Sequence, residues 1–87
     1  VTLEDDAMNP AYRAGDRLIF DPQRVPQPGD VVLARVDNVA MVRIIRMHDE
    51  QIFSLRPLNE DFPVQQSQKS TLELIGTLVE MRRRGSR

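Results

Sequence analysis

Residues 1–16 read Val1-Thr2-Leu3-Glu4-Asp5-Asp6-Ala7-Met8-Asn9-Pro10-Ala11-Tyr12-Arg13-Ala14-Gly15-Asp16, and the rest of the chain is organised around this stretch. Asn9-Pro10 marks a turn, because proline restricts its own φ and biases the residue before it away from the helical region. Gly15-Asp16 is a second turn signal. The stretch therefore predicts that residues 6–8 end a short strand and enter a tight loop that presents one side chain into a cleft.

Length and composition predict one small domain over residues 1–87, and they limit the classes of function. The chain has no cysteine, which excludes disulfides and thiolate metal sites and favours a cytoplasmic location. No apolar run is long enough for a membrane span, and no secretory signal is present. The net charge is −1, which argues against nucleic-acid binding by this domain alone. We interpret the basic cluster Arg82-Arg83-Arg84 as a solvated tail.

Short apolar runs between turn signals predict a mainly β domain. Asp37-Asn38 is a hairpin signal between two β-rich runs, because both residue types tolerate positive φ. Two loops separate the other runs: a proline-rich loop at 21–29 and a polar loop at 60–70. The polar loop has a short extended piece near Val64. The consecutive apolar residues at 17–21 predict burial on both faces. The resulting architecture is a compact, strongly bent antiparallel β domain, with strands predicted at 1–4, 17–21, 31–36, 39–47, 51–55 and 71–81.

The last predicted strand changes the face that its apolar residues occupy. Leu72 and Leu74 are even-numbered, whereas Val79 and Met81 are odd-numbered. A strand shows one face at every second residue, so this change of parity requires a bulge or bend. Gly76 stands where the bend is expected.

The opening stretch resembles the nucleophile motif of the LexA and phage-repressor C-terminal domain family, whose members cut themselves with a serine–lysine dyad. That motif reads roughly Gly-Asp-Ser-Met-x-Pro, then Gly-Asp, three apolar residues and Asp-Pro. The resemblance implies a bent β fold and a structural role for Asp6, Met8, Pro10, Gly15 and Asp16. The segments that match are Asp5-Asp6-Ala7-Met8-Asn9-Pro10, Gly15-Asp16, Leu18-Ile19-Phe20, Asp21-Pro22, Pro28-Gly29-Asp30-Val31-Val32, Leu55-Arg56-Pro57-Leu58-Asn59 and Ile75-Gly76.

Both positions of the family dyad are substituted in this chain. The resemblance places the serine on Ala7 and the lysine on Arg43, within Val42-Arg43-Ile44-Ile45. Alanine has no nucleophile, and a guanidinium does not give up its proton as a buried lysine can. We therefore expect that the chain is not an enzyme. We also expect Arg43 to point outward from its strand, between Val42 and Ile44.

No other residue replaces the dyad in the sequence. Lys69, the single lysine, lies in a polar loop, and His48 stands alone in a turn. The acidic run Glu4-Asp5-Asp6 could attract a hard cation, but strand-end and turn roles are the simpler interpretation. We expect no cofactor and no metal site. The serines without a motif around them are Ser54, Ser67, Ser70 and Ser86.

The resemblance implies a C-terminal oligomerisation domain of a phage-type transcriptional repressor. Such a domain forms a homodimer or a higher homo-oligomer, and operator DNA is bound by an N-terminal helix-turn-helix domain that is absent from this sequence. Without the dyad, release by self-cleavage is not expected, and an antirepressor protein is a possible regulator. No membrane partner is expected. The last strand offers an edge for pairing across a dimer, with candidate contacts at Leu72, Leu74, Leu78 and Val79.

Two explanations of Ala7 stay open. It is native in a repressor that has lost self-cleavage, or it is an engineered serine-to-alanine change. The second explanation makes the chain an inactive form of a self-cleaving LexA-like repressor or a related autoprotease, such as a mutagenesis-polymerase subunit or a signal-peptidase relative. A signal peptidase needs a membrane anchor, which this sequence lacks. Arg43 favours the first explanation, because one substitution suffices to abolish the chemistry. An accidental resemblance is the third alternative, and the ordered set of motifs argues against it.

Overall fold

The computed structural model describes residues 1–49, 51–67 and 71–83, and these form a single antiparallel β-sheet. None of the described residues is in a helix, so none of the described segments provides a helix that could cross a membrane. The strand order across the sheet is β1-β6-β2-β3-β4-β5. The strands are β1 (Arg17–Asp21), β2 (Val31–Val36), β3 (Val39–Met47), β4 (Phe53–Arg56), β5 (Gln65–Gln66) and β6 (Leu72–Arg82).

The hairpin of β2 and β3 is the most regular part of the sheet, and the sequence predicted its bounds. The strands pair from Val31 with Ile44 to Val36 with Val39 without a shift in register. Asp37 and Asn38 form the turn, with φ of 48° and 73°. Both residues therefore adopt the left-handed conformation that a two-residue hairpin needs.

β6 lies between β1 and β2 and pairs with each of them over a different half. Leu72 to Thr77 pair with β2, and Thr77 to Arg82 pair with β1. The edge expected for pairing across a dimer is therefore shortened within the sheet, since each half of this strand already has a partner on one side. Among the described residues, each half of β6 has a neighbouring strand on one side only. The other side of each half therefore stays open.

The predicted change of parity in β6 is confirmed as two bulges on either side of Gly76. Leu33 pairs with Gly76 and Ala34 with Leu74, so Ile75 is an extra residue. Phe20 pairs with Leu78 and Ile19 with Glu80, so Val79 is a second extra residue. A bulge bends a strand and increases its twist. The two bulges therefore produce the bend that lets β6 join β2 to β1.

Two clusters of buried apolar side chains cover the two faces of β2. Neighbouring strand residues point to opposite faces, so Leu33 and Val32 belong to different clusters. The first cluster also receives Leu3 and Met8 from the opening stretch, which lies over that face. The clusters are Leu3, Met8, Leu18, Leu33 and Val42, and Val32, Ala34, Val36, Ile45 and Leu55.

Three strand predictions need correction. Residues 1–4 form only an isolated bridge, between Thr2 and Arg17, because the chain turns away at the acidic run. β1 is not buried on both faces: Leu18 is buried, but Ile19 is 37% exposed. The strand predicted at 51–55 begins at Phe53 and ends at Arg56. The predicted extended piece near Val64 is present as β5. Glu50 and residues 68–70 lie outside the described part of the chain.

Candidate functional site

The loop after the acidic run is held by its own backbone. The Ala7 N–H donates to Asp5 Oδ1 at 3.1 Å, and the Tyr12 N–H donates to the Met8 carbonyl at 2.9 Å. Met8 is fully buried in the first core cluster. The Asn9–Pro10 peptide bond is cis. The structural roles expected of Met8 and Pro10 therefore correspond to an anchor in the core and a tight turn.

Ala7 is completely enclosed. Its exposed fraction is 0%, and its carbonyl accepts a hydrogen bond from the Asn59 N–H at 2.8 Å. The Asn59 side-chain amide donates to the Asp6 carbonyl at 3.2 Å. Asn59 thus fastens the segment after β4 onto the loop. The Ala7 methyl group faces protein rather than an open cleft.

Arg43 points into the protein, so the prediction that it points outward is wrong. Its exposed fraction is 4%. It lies directly opposite Val32 in the β2–β3 pairing, so both side chains share one face. That face is covered, because Val32 is fully buried. The alternation argument failed because β3 packs on both faces, and alternation then does not identify a solvent side.

The surroundings of the Arg43 guanidinium are unusual for a cation. Nη1 donates to the Val42 carbonyl at 2.7 Å, and the Phe62 ring centroid lies 5.6 Å from Cζ. Nε has no partner among the described residues. Burial lowers the pKa of the Arg43 guanidinium, and the negative charge of Asp5 partly opposes that shift.

The turn at 59–62 contacts both positions that the resemblance assigns to the dyad. Asn59 binds the Ala7 loop, and the Phe62 N–H donates to the Asn59 carbonyl at 3.1 Å, which places the Phe62 ring over Arg43. Ala7 contributes a methyl group and Arg43 a guanidinium, so these two residues do not supply the hydroxyl and the amine that a serine–lysine dyad needs.

Asp16 has a second role that its turn position did not reveal. It is buried, and its carboxylate accepts hydrogen bonds from the Arg13 N–H at 2.8 Å and from Arg83 Nε and Nη2 at 3.0 and 2.9 Å. The hydrogen bonds from Arg83, and then the one from Arg13, hold the pKa of the Asp16 carboxyl below its ordinary value. The interpretation of 82–84 as a solvated tail is therefore wrong for Arg83, while Arg84 lies outside the described residues.

The remaining candidate groups that the structure describes lie apart from Ala7 and Arg43. His48 is exposed in its turn, and its Nε2 lies 3.1 Å from Ser54 Oγ. Ser67 Oγ accepts a hydrogen bond from the Phe53 N–H. Among the described residues, no three His, Asp or Glu side chains gather into a possible metal site. Lys69, Ser70 and Ser86 are outside the described part of the chain.

The four candidate interface residues of β6 divide into two pairs. Leu72 and Leu78 are half-buried, and each packs against one of the two core clusters. Leu74 is 36% exposed and Val79 is 46% exposed. The exposed pair is free to contact another molecule, whereas the half-buried pair already contributes to the fold.

The sequence argument missed three residues that build the site. Asn59 was quoted only as the end of a motif, Phe62 was placed in a loop, and Asp5 was interpreted as a solvated turn residue. Asn59 offered a signal, because an asparagine beside a turn often binds backbone groups. Nothing in the local sequence connects Phe62 with Arg43, since they are far apart along the chain.

Comparison with known protein families identifies one family. The family model described as Peptidase S24-like matches residues 1–79, which include the Ala7 loop, Arg43 and the turn at 59–62. A search of curated protein sequences finds no significant match.

Proposed function

Because the chain belongs to the Peptidase S24-like family, we propose that it is the C-terminal oligomerisation domain of a phage-type transcriptional repressor that does not cleave itself. The observation that carries the proposal is the pair of Ala7 and Arg43. Ala7 offers no atom that could attack a peptide bond. Arg43 remains a cation although burial lowers its pKa, because the ordinary pKa of a guanidinium lies far above neutrality.

The closure of the site also favours a non-catalytic role. A peptidase site has to admit a peptide beside its nucleophile, yet Ala7 is fully buried and Asn59 is bound to its carbonyl. The Phe62 ring covers the guanidinium of Arg43. These contacts stabilise the fold at the position where the family carries its chemistry.

Assembly is the role that remains for such a domain. A symmetric dimer would double the contacts of a repressor with operator DNA and match two half-sites. The DNA would be bound by a helix-turn-helix domain elsewhere in the parent protein, since this domain has a net charge of −1. The exposed Leu74 and Val79 of β6 are the proposed contacts between copies. Release from the operator would require another signal than self-cleavage, such as a bound antirepressor protein.

Self-cleavage of the full-length parent at alkaline pH tests the proposal. We expect the parent to stay intact, and Ala7→Ser to stay intact as well, because Arg43 cannot activate the new hydroxyl. The double variant Ala7→Ser/Arg43→Lys restores both groups and is the matched positive control. A parent that cuts itself, or an Ala7→Ser variant that does so, would contradict the proposal.

The alternative is a self-cleaving repressor or related autoprotease in which alanine has replaced the serine. The intact backbone of the loop, from Asp5 to Tyr12, favours this alternative, because the position of a nucleophile is still built. The same experiment separates the two functions. Cleavage by Ala7→Ser alone identifies an enzyme whose serine had been removed.

A further inference from the structure

Arg43 is a buried cation without an ion-pair partner among the described residues. The ion pairs among the described residues do not include it, and its exposed fraction is 4%. Its Nε is buried without a hydrogen-bond partner among the described residues. Removing a cation from water is costly unless an opposite charge and hydrogen bonds replace the water. Within the described part of the chain, no anion forms an ion pair with this guanidinium.

The three sides of the guanidinium are occupied differently. Nη1 already has a hydrogen-bond partner, because it donates to the Val42 carbonyl at 2.7 Å. One face is covered by Phe62 at 5.6 Å. The edge that carries Nε is unpaired, and this edge, together with Nη2, donates two parallel hydrogen bonds when arginine binds a carboxylate.

Asp5 does not fill the unpaired edge. Its charge acts on Arg43, but no hydrogen bond or ion pair joins them in the described structure. Asp5 Oδ1 instead accepts the Ala7 N–H at 3.1 Å. Asp5 therefore shapes the Ala7 loop and acts on Arg43 only through its charge, so the Nε edge has no hydrogen-bonded carboxylate among the described residues.

We propose that Arg43 is the anchor of a carboxylate-binding site, which takes an acidic side chain of a partner polypeptide on its Nε edge. This inference rests on the proposed non-catalytic function, and it gives the substituted site a binding role. Phe62 is half-buried and its ring forms one wall of this site, so the proposal requires the ring to change position when the carboxylate binds. Arg43, which stands where the resemblance places the catalytic lysine, then recognises the partner.

Titration of the 87-residue chain with sodium acetate tests the site, with sodium chloride at equal ionic strength as the reference. The Nε–Hε group of each arginine gives its own signal in a nitrogen-15 NMR spectrum. We expect the Arg43 signal to move and saturate with acetate but not with chloride, while the signal of the exposed, ion-paired Arg35 stays in place. A shift of Arg43 that is linear, or equal for both salts, would overturn the proposal and leave a buried water as the partner of Nε.

Variants of Arg43 provide the second measurement. Arg43→Lys keeps the charge but loses the forked donor, so acetate should bind about tenfold more weakly or worse. Arg43→Met should abolish the effect of acetate on the melting temperature, while Arg35→Met, the matched control, should retain it. If Arg43→Met does not fold, the NMR titration of the unaltered chain still decides.

Titration with inorganic phosphate is the third measurement. Tighter saturation of the Arg43 signal by phosphate than by acetate would overturn the assignment to a carboxylate. Failure of this inference is distinct from failure of the proposed function, because self-cleavage and assembly are measured independently of acetate. A parent that stays intact and does not respond to acetate retains the proposed function and loses only the carboxylate site.

Discussion

Asp16 is a single carboxylate that ties the opening stretch to the end of β6. It is buried, and the Arg83 guanidinium and the Arg13 N–H donate to it. We expect Asp16→Asn to lower the free energy of unfolding by about 1 to 2 kcal/mol at pH 7, because a neutral amide accepts these hydrogen bonds less strongly. Urea unfolding measures the loss. Glu73→Gln, which breaks the exposed ion pair with Arg35, should change stability little.

The pH dependence identifies the charge of Asp16 as the cause. Its pKa is lowered in the folded protein, so its contribution is complete above the unfolded pKa of about 3.9 and is lost as pH falls through the folded pKa. The difference between the unaltered protein and Asp16→Asn should therefore shrink as the pH falls below about 4. A difference that persists at lower pH would show that Asp16 acts through packing instead.

The roles of Asp16 and Arg43 mark the limit of what a sequence pattern predicts for one side chain. Gly15-Asp16 correctly predicted a turn, because turn chemistry is local. The ion pair was not predicted, because Arg83 stands 67 positions further along the chain. Arg43 was assigned to the right strand and to the wrong face, because alternation identifies two faces without saying which is covered.

β6 is the element that most depends on one small residue. A Cβ built on Gly76 would lie 2.9 Å from Phe20 Cβ and 3.4 Å from the Asp21 backbone. We expect Gly76→Ala to reduce the free energy of unfolding by about 1 to 3 kcal/mol, because β1 has to move away from β6. Urea unfolding gives the loss, and amide shifts along β1 in the NMR spectrum locate it.

Gly29 offers a contrast to Gly76. A Cβ on Gly29 meets nothing within 4 Å, but its φ is +92°. Gly29→Ala should therefore lose stability through backbone strain and leave the amides of β1 unmoved. If Gly76→Ala left the free energy of unfolding unchanged, β1 would be able to move away from β6 without loss of stability. The short distance between position 76 and Phe20 would then not require glycine.

The success of the strand predictions depended on whether a strand is specified locally. β2 and β3 were predicted with their observed bounds, because the Asp37-Asn38 turn fixes their register. The bulges of β6 were anticipated from the parity of its apolar residues. Residues 1–4 failed as a strand, because pairing there depends on where the distant Arg17 lies. The order of the strands in the sheet has no local signal, so the position of β6 between β1 and β2 was not predicted.

The sheet as a whole leaves two apolar side chains of β6 exposed, and these suit assembly. The first half of β6 pairs with β2 alone, and it carries the exposed Leu74 beside its open side. Val79 is exposed at the second bulge. An open strand side with apolar residues next to it invites pairing with another copy. We therefore expect sedimentation equilibrium of the 87-residue chain at micromolar concentrations to show a dimer or larger species.

Substitution of β6 residues separates the interface from the core. Leu74→Asp should give a folded protein whose dissociation constant is raised about 30-fold or more, as for an interface hot spot. Leu78→Asp should instead unfold the domain, because Leu78 packs against the first core cluster. That outcome would assign Leu78 to the core and leave Leu74 as the interface residue. Circular dichroism establishes folding, and sedimentation measures assembly. A folded Leu74→Asp variant that associates as strongly as the unaltered chain would place the interface elsewhere, since a carboxylate cannot be buried between two copies without a large loss of affinity.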